Sequence, residues 1–580
     1  MHKFVVFAVL VSVVGFAGCA RVAPQAAPVA VVETTDPAAA QDPEADGESL
    51  PAAALTDEVL YDILLGEIAV RRGELSVAAD AFARAAVNTR DHRVAERAMQ
   101  TAMRAKDFDR AFEVATLWRE LQPDAIPPME AVAVAQVASN RLSEAEQAFT
   151  QLIRRAEPNV GGMYRRIADL LSRQTNVDGA IALMGDLVAL HADDAEAHYA
   201  KAFLADRLKR PSLVVEAIDK ALELRPEWEE AALAKAAHLL AQNQTDQLIA
   251  FSDGYLDQHP TASRLRLQYA RFLVEHGAQE KALVQFKKVI EHQPTHTDAM
   301  FAAALISIQL DRLDDAEQLL EQNLDINPRN DQVRLYLGQV AAERKQFAKA
   351  ETWYRQIHKG DYFFEAQLLL GDIYAKQSDT QKALAHLREL EPDNEEQHVR
   401  WILSQEQVLR EGQNLADAKL ILDDGLNQFP ESTDLLYARG LVAAQLDMVE
   451  LHEQDMRKLL DKDPDNPHAL NALGYTLADQ TDRYQEAYTL IEKALALRPE
   501  DPFILDSMGW IQYRLGNYDL AIDYLQKALA KREDAEIAAH LGEVLWAVGQ
   551  QQRAEAVWTQ ALEKSPENDT LLSTIRKLKK

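Results

Sequence analysis

Residues 466–530 read NPHALNALGYTLADQTDRYQEAYTLIEKALALRPEDPFILDSMGWIQYRLGNYDLAIDYLQKALA. A glycine, Gly474, is followed thirteen positions later by a small residue, Ala487, and four positions after that by a bulky one, Ile491. Glycine in a first helix lets a second helix cross it closely, the alanine receives that contact, and the bulky side chain fills the space beyond. The same order recurs downstream as Gly509, Ala521 and Leu525, and then as Gly542, Ala554 and Trp558. The stretch therefore predicts helix pairs built on one plan.

This plan extends through most of the chain at a nearly constant interval. Prolines after the second helix set the register independently of the glycines, because proline cannot continue a helix. They recur 34 residues apart as Pro226, Pro260, Pro294 and Pro328, and again as Pro430 and Pro464. The fifteen positions equivalent to Gly474 are spaced by 33 to 35 residues and are Gly66, Met99, Ala133, Ala168, Ala202, Ala236, Ala270, Ala304, Gly338, Gly371, Glu406, Gly440, Gly474, Gly509 and Gly542. About fifteen helix pairs are therefore predicted over residues 56–567.

The period and its glycine, alanine and proline positions resemble the tetratricopeptide repeat (TPR). The resemblance implies an all-α fold, a TPR α-solenoid whose stacked pairs share one core and wind as a right-handed superhelix. The end of such an array needs a polar cap. Residues 568–580 place leucine and isoleucine at helical spacing and end in arginine and lysine, which favour a helix C-terminus. This segment is predicted to be a capping helix.

Four residues depart from the repeat plan. Val214, Leu248 and His452 stand where the second helix otherwise has alanine, and Glu406 stands at a glycine or alanine position of a first helix. Larger side chains at these crossings are expected to push the helices apart. The sequence therefore predicts irregular packing there, and the repeat is weakest around Met99 and Glu406.

The N-terminal segment does not fit the repeat. After Lys3 comes an apolar run too short to span a bilayer, and then the segment FAGC, which ends at Cys19 and resembles a bacterial lipoprotein signal. The resemblance implies a signal peptide at residues 1–18 and lipidation of Cys19, the only cysteine in 580 residues. Phe16 departs from the aliphatic residue usual in this motif. An ordinary secretory signal with an incidental cysteine is the alternative.

Residues 19–55 are predicted to be the lipid-bearing cysteine and a disordered tether. The segment is rich in alanine, proline and acidic residues and has no aromatic residue, so it cannot bury enough surface to fold. Ala20 stands where lipoproteins kept in the inner membrane often carry aspartate. By resemblance to the enteric sorting rule, this implies the periplasmic face of the outer membrane of a Gram-negative bacterium.

The chain carries a formal charge of −30 at pH 7. This charge argues against nucleic acid and against an anionic membrane surface as partners, so membrane contact is expected through the lipid anchor only. A basic protein partner fits the charge, and so does the solubility of a long solvated surface.

The sequence contains no recognisable catalytic pattern. It lacks GxSxG, a phosphate-binding GxxxxGK[ST] loop and a GxGxxG turn after a strand. The pair at 452–453 begins like a zinc-protease motif, but Met456 stands where the second histidine is needed. His292, His296 and Asp298 flank an inter-repeat turn, where an exposed polar turn and a metal site are the two interpretations. We expect no enzyme, cofactor or metal; an enzyme with an unrecognised site is the alternative.

In TPR arrays the first helices line the concave face, and positions three before, one after and four after the glycine look inward. In the last three units these positions carry four aromatic residues among amide and acid groups, which suits capture of an extended chain. The predicted partner-binding residues are Asn471, Tyr475, Asp506, Trp510, Tyr513, Glu543 and Trp546. Packing of Trp510 and Trp546 in the core is the alternative. The middle units, with fewer inward aromatics, are predicted to form a wide cradle for a folded partner.

The combination of lipid anchor, Ala/Pro tether and repeat array, with residues 466–530 as its most specific motif, is similar to long TPR lipoproteins of pseudomonads and related proteobacteria. Within that group it resembles outer-membrane lipoproteins that bind a periplasmic carboxy-terminal processing protease. The resemblance implies an adaptor that binds this protease and its substrates, peptidoglycan hydrolases, and so raises their effective concentration or activates the protease. A scaffold for envelope assembly or polysaccharide export is the alternative.

Overall fold

A computed structural model describes residues 56–579 of the chain, and the predictions made for residues 1–55, including lipidation of Cys19, lie outside this range. Two compact units divide at Leu310 and Asp311. In the first unit the helices are α1 Asp57–Arg72, α2 Leu75–Thr89, α3 His92–Ala105, α4 Phe108–Leu121, α5 Ile126–Ala138, α6 Leu142–Ala156, α7 Gly161–Leu171, α8 Val177–Ala189, α9 Ala195–Arg207, α10 Pro211–Leu224, α11 Glu229–Ala241, α12 Thr245–Gln258, α13 Ser263–Glu275, α14 Gln279–His292 and α15 Thr297–Gln309.

In the second unit the helices are α16 Leu313–Ile326, α17 Asp331–Glu343, α18 Phe347–Arg355, α19 Phe363–Lys376, α20 Thr380–Arg388, α21 Glu395–Glu411, α22 Leu415–Gln428, α23 Thr433–Gln445, α24 Val449–Lys462, α25 Pro467–Gln480, α26 Tyr484–Leu497, α27 Pro502–Arg514, α28 Tyr518–Lys531, α29 Ala535–Ala547, α30 Gln551–Lys564 and α31 Asp569–Leu578. Across the described range, 56–579, every regular element is helical. Within that range no helix is long and apolar enough to cross a membrane.

The helices follow the predicted repeat. Each of the fifteen anchor positions lies in one of the odd-numbered helices from α1 to α29, and the next helix in the chain covers the segment predicted for the second helix. The predicted second-helix alanines are fully buried, which is what a close crossing requires. They are Ala78, Ala111, Ala145, Ala180, Ala282, Ala316, Ala350, Ala383, Ala418, Ala487, Ala521 and Ala554. The all-α fold of fifteen helix pairs is therefore confirmed.

The predicted capping helix follows the last pair as α31. Its N-terminal cap is Asn568, whose side chain accepts a hydrogen bond of 2.9 Å from the Leu571 N–H. The side chain of Leu571 is fully buried, and Arg576 and Lys577 lie in the last turn of the helix. The helix thus covers the apolar end of the array with one face and places its positive groups at its C-terminus.

The glycines in the first helices permit the predicted close crossing. A Cβ atom placed on Gly474 would lie 2.6 Å from the side chain of Ile491, and one on Gly509 would lie 2.6 Å from Leu525. Both distances are too short for non-bonded carbon atoms, so any side chain at these positions would displace the second helix. The bulky residue four positions after the alanine therefore packs directly over the glycine.

The prolines end the second helices in the way that their chemistry predicts. Asp463, just before Pro464, has φ −127° and ψ 80°, and Arg498, just before Pro499, has φ −138° and ψ 76°. A residue before proline is excluded from the helical region by contact with the proline ring. Each of these turns thus leads the chain out of one pair and into the next.

The residues that depart from the repeat plan are absorbed without shortening their helices. The second helices that contain Val214, Leu248 and His452 each have 14 residues, as regular ones do, and all three side chains are buried. His452 lies with Nδ1 2.8 Å from the Gly440 carbonyl oxygen. The short second helices are instead α18 and α20, with 9 residues each, which the sequence did not single out.

Glu406 is buried at its crossing, with 5% of its surface exposed. Burial raises the pKa of this carboxyl group, and the Arg410 guanidinium, whose Nε donates to Glu406 Oε1 at 2.7 Å, opposes that effect. The carboxyl group buried at this crossing is therefore paired with an arginine one turn further along α21.

Candidate functional site

The first helices of the last three pairs, α25, α27 and α29, lie side by side, because α25 contacts α27 and α27 contacts α29. We call their shared surface the A layer. Each helix begins at a capping side chain that accepts backbone hydrogen bonds: Asn466, Asp501 and Asp534. These caps fix where each helix starts. Residues one repeat apart in sequence therefore become neighbours in the A layer.

His540 lies at the centre of the A layer. Its Nδ1 is 3.0 Å from both carboxylate oxygens of Asp506, on the preceding first helix, and its Nε2 is 3.4 Å from the Tyr475 hydroxyl, two first helices away. The imidazole ring stacks on Trp510, with the ring centroids 4.4 Å apart. Four side chains from three repeats thus form one contact cluster, which we call the His540 cluster.

The electrostatics of this cluster favour a charged histidine. Burial lowers the pKa of His540, but the charge and hydrogen bond of Asp506 outweigh burial, and Asp479 and Glu536 add to their effect, so the pKa is raised. An imidazolium held against a carboxylate and an aromatic face is favoured by both neighbours. The cluster is therefore an internal ion pair covered by an aromatic ring.

Tyr475 lies in strongly negative surroundings. Burial raises the pKa of its phenol, and Asp479, Asp506, Glu536 and Glu543 raise it further. Four carboxylates from three helices thus act on one side chain. These four carboxylates give this part of the A layer a negative electrostatic potential, which favours a positively charged group.

The structure brings four of the seven predicted binding residues into or against the His540 cluster: Tyr475, Asp506, Trp510 and Tyr513. Trp510 has 6% of its surface exposed and packs with its ring centroid 5.3 Å from that of Tyr513, which is half-buried. Among residues 56–579, no group accepts a hydrogen bond from the Trp510 indole N–H. Trp510 is therefore both a core side chain and an unsatisfied donor within the layer.

The other three predicted residues lie at the margins of this cluster. Trp546 is half-buried with its ring centroid 5.6 Å from that of Trp558, on the second helix α30. Glu543 keeps 13% of its side chain exposed and lies 3.7 Å from the Lys577 ammonium of α31. Asn471 has a buried Oδ1 atom without a hydrogen-bond partner in the described part of the chain. Whether any of the seven binds a partner stays a prediction.

His540 is the central residue that sequence reasoning missed. It stands two positions before Gly542, and the inward positions used for the prediction were three before, one after and four after the glycine. The equivalent positions in the two preceding units are Ala472 and Ser507, so a large polar side chain at 540 breaks the local pattern. That contrast, together with Asp506 one repeat earlier, was the available signal.

The turn that carries His292 and His296 has a structural role. The Nδ1 atom of His296 accepts a hydrogen bond of 3.2 Å from the Ala299 N–H at the start of α15. In the described residues, no group of three or more histidine, cysteine, aspartate or glutamate side chains is arranged to hold a metal ion. His296 is therefore engaged as a helix cap.

Comparison with known proteins identifies the repeat. Family models of the tetratricopeptide repeat match residues 308–362, 365–391, 465–534 and 507–569. The TPR repeat-containing protein PA4667 of Pseudomonas aeruginosa is 31% identical over 493 residues, which is 84% of this chain and 83% of that protein.

Solved structures similar to this chain include a TPR protein of Parabacteroides merdae, which is 15% identical in sequence. The alignment covers 49% of this chain and 99% of the Parabacteroides chain, with a TM-score of 0.32. A thermophilic TPR protein of Thermus thermophilus is 21% identical in sequence. The alignment covers 32% of this chain and 98% of the Thermus chain, with a TM-score of 0.29.

Proposed function

Because this chain belongs to the family of tetratricopeptide-repeat proteins, we propose that it is a scaffold that binds a partner protein through the A layer. TPR arrays bind protein partners and generally act as scaffolds rather than as catalysts. The observation that supports this site is the concentration of aromatic and acidic side chains around His540, with an unsatisfied indole N–H among them. Aromatic side chains supply large contact area at a low cost in conformational entropy.

We further propose where the chain is located and which proteins it binds. Lipid on Cys19 anchors it at the periplasmic face of the outer membrane. There it is an adaptor that binds a carboxy-terminal processing protease and the peptidoglycan hydrolases that are the substrates of this protease. Support comes from the lipoprotein-like segment that ends at the only cysteine, and from the resemblance of the whole architecture to such adaptors. Co-binding on one scaffold raises the effective concentration of enzyme and substrate.

The test is affinity capture from a bacterial envelope extract, with residues 20–580 as bait and mass spectrometry as the readout. A variant with Tyr513→Ala and Glu543→Gln serves as the second bait, because both side chains lie partly exposed on the A layer. We expect the native bait to recover a carboxy-terminal processing protease together with cell-wall hydrolases, and the variant to recover much less. Recovery of export or assembly machinery without a protease would contradict the adaptor. Equal recovery by both baits would contradict the A layer as the site.

The anchor is tested separately by fractionation. Native protein is expected in the outer-membrane fraction, and Cys19→Ser protein in the soluble periplasm, because one lipid-bearing residue supplies the whole membrane affinity in this proposal. A Cys19→Ser protein that still fractionates with the outer membrane would contradict lipid anchoring.

A further inference from the structure

The A layer has an excess of negative groups around a small number of positive ones. Asp479, Asp506, Glu536 and Glu543 all act on Tyr475, and the only positive groups that contact this set in the described residues are His540 at Asp506 and Lys577 at Glu543. Arg514, at the edge, donates instead to the Tyr484 hydroxyl and to the Asp479 backbone carbonyl. Unbalanced negative charge on a partly buried surface selects for a positive partner.

The His540 cluster shows what kind of group this surface holds. Within it a planar cation of the chain itself has its Nδ1 atom 3.0 Å from the Asp506 carboxylate and stacks on the Trp510 ring, with 4.4 Å between the centroids. Tyr513 packs against the apolar core that includes Leu541 and Val544 of α29, and the charge of Glu543, on the same helix, adds to burial in raising the pKa of the Tyr513 phenol. Glu543 and Tyr513 thus place a second carboxylate and a second aromatic ring on neighbouring first helices.

Lys577 forms only a loose ion pair with Glu543. Its ammonium is 3.7 Å from Glu543 Oε1, and its side chain is 73% exposed, whereas that of Glu543 is 13% exposed. An ion pair with so exposed a lysine is weak, because water and salt compete for the ammonium. A better positioned cation can therefore displace Lys577 at little cost.

Two buried polar atoms in the layer lack partners. The Trp510 indole N–H is an unused donor on a side chain that is 6% exposed, and Asn471 Oδ1 is an unused acceptor on the neighbouring first helix. Buried polar groups in folded proteins are nearly always satisfied, and a peptide backbone offers both a carbonyl and an N–H.

We propose that the A layer binds an extended basic segment of its partner, with an arginine or lysine side chain at Glu543 and Tyr513, and that Lys577 occupies Glu543 until that segment displaces it. This inference rests on the proposed function and adds the chemistry of the bound segment. The aromatic ring and the carboxylate then act together on one cation.

The first experiment is selection of random twelve-residue peptides, displayed on phage, on the full-length chain in detergent. Peptides that also bind the Tyr513→Ala/Glu543→Gln variant are removed. We expect the remaining peptides to be enriched in arginine and lysine. Site-dependent peptides without this enrichment would overturn the basic segment and leave the proposed function standing. No site-dependent peptides at all would contradict both.

The second experiment measures the affinity of one selected peptide, labelled with fluorescein, by fluorescence polarisation. Glu543→Gln is expected to weaken binding about three- to tenfold, and Lys577→Ala to strengthen it about two- to fivefold, both at low salt. Glu500→Gln, on an exposed carboxylate that pairs with Lys531, is the matched control and is expected to change affinity less than twofold. Unchanged or weakened binding by Lys577→Ala would overturn the displacement.

Discussion

In each of the two units, a histidine–aspartate contact joins successive first helices. In the first unit, His238 Nδ1 of α11 is 3.5 Å from Asp206 Oδ1 of α9, and the Asp206 side chain is 66% exposed. In the second unit, His540 and Asp506 are 3.0 Å apart, and both side chains are nearly buried beneath Trp510. The same repeat geometry thus gives a solvated contact in one place and a covered ion pair in the other.

The difference shows that the chemistry of a TPR surface is set by single residues on the first helices. The surface near Asp206 carries exposed apolar side chains, Phe203 and Leu240, whereas the Trp510 side chain that stacks on His540 is buried. Both regions keep the helix pair, although Val214 and Leu248 replace the second-helix alanine in the first region, where Pro226 and Pro260 still follow the second helices. Fold and site are therefore specified by different positions of the same repeat.

The largest expected effect is on the stability of the second unit. Asp506→Asn removes the charge that faces a buried imidazolium, so we expect a loss of about 2–4 kcal/mol in the free energy of unfolding. Asp206→Asn removes a solvated carboxylate and should cost less than about 1 kcal/mol. Urea unfolding followed by circular dichroism and tryptophan fluorescence measures both. Equal losses in the free energy of unfolding for the two variants would contradict the distinction between a covered ion pair at Asp506 and a solvated contact at Asp206.

A smaller effect is expected from the helix crossing itself. Gly509→Ala puts a Cβ 2.6 Å from Leu525, so we expect a loss of about 1–3 kcal/mol as α28 is displaced. Gly254→Ala is the matched change in the first unit, in α12, where a Cβ would meet nothing within 4 Å. It should be neutral or stabilise by about 0.5–1 kcal/mol, because alanine is the better helix former. Thermal unfolding compares the two, and a stabilising Gly509→Ala would contradict the close crossing.

The pH dependence of stability should be the smallest of the three effects. The pKa of His540 is raised, so its contribution is complete below the pKa of an unfolded histidine, about 6.5, and is lost as the pH rises through the folded pKa. The native chain should therefore lose stability relative to His540→Gln as the pH rises above about 6.5. Urea midpoints at several pH values measure this. A difference in stability between the two chains that stays constant as the pH rises would contradict the ion pair.

Much of the fold was predictable because the repeat is recognised from the spacing of residues within one helix pair. Gly474 and Ala487, thirteen positions apart, imply a close crossing, and Pro464 implies the turn before it, since each rule involves residues of one pair. The short helices α18 and α20 were not predictable in this way. Proline follows a regular second helix by two residues, as Pro464 follows Lys462, whereas Pro392 comes four residues after Arg388 and no proline lies between Arg355 and α19, so the spacing does not mark where these helices end.

The site was predictable only in part. Tyr475, Asp506 and Trp510 followed from the inward positions of the repeat, but His540 joins them across two repeats and from a position outside that set. The burial of Trp510 follows from the stacking of neighbouring side chains, which the sequence of one helix does not contain. Nothing in the spacing showed that Lys577 of α31 would reach Glu543.

The most direct test of the A layer as the partner-binding surface is site-specific photo-crosslinking. A photoreactive phenylalanine analogue replaces Tyr513 on α27 or, as the matched control in the same repeat, Tyr524 on the second helix α28; both side chains are half-buried. The chain is irradiated in an envelope extract and its crosslinked products are identified by mass spectrometry. We expect a crosslink to one partner from position 513 and none from position 524. A crosslink from position 524 alone would contradict this expectation.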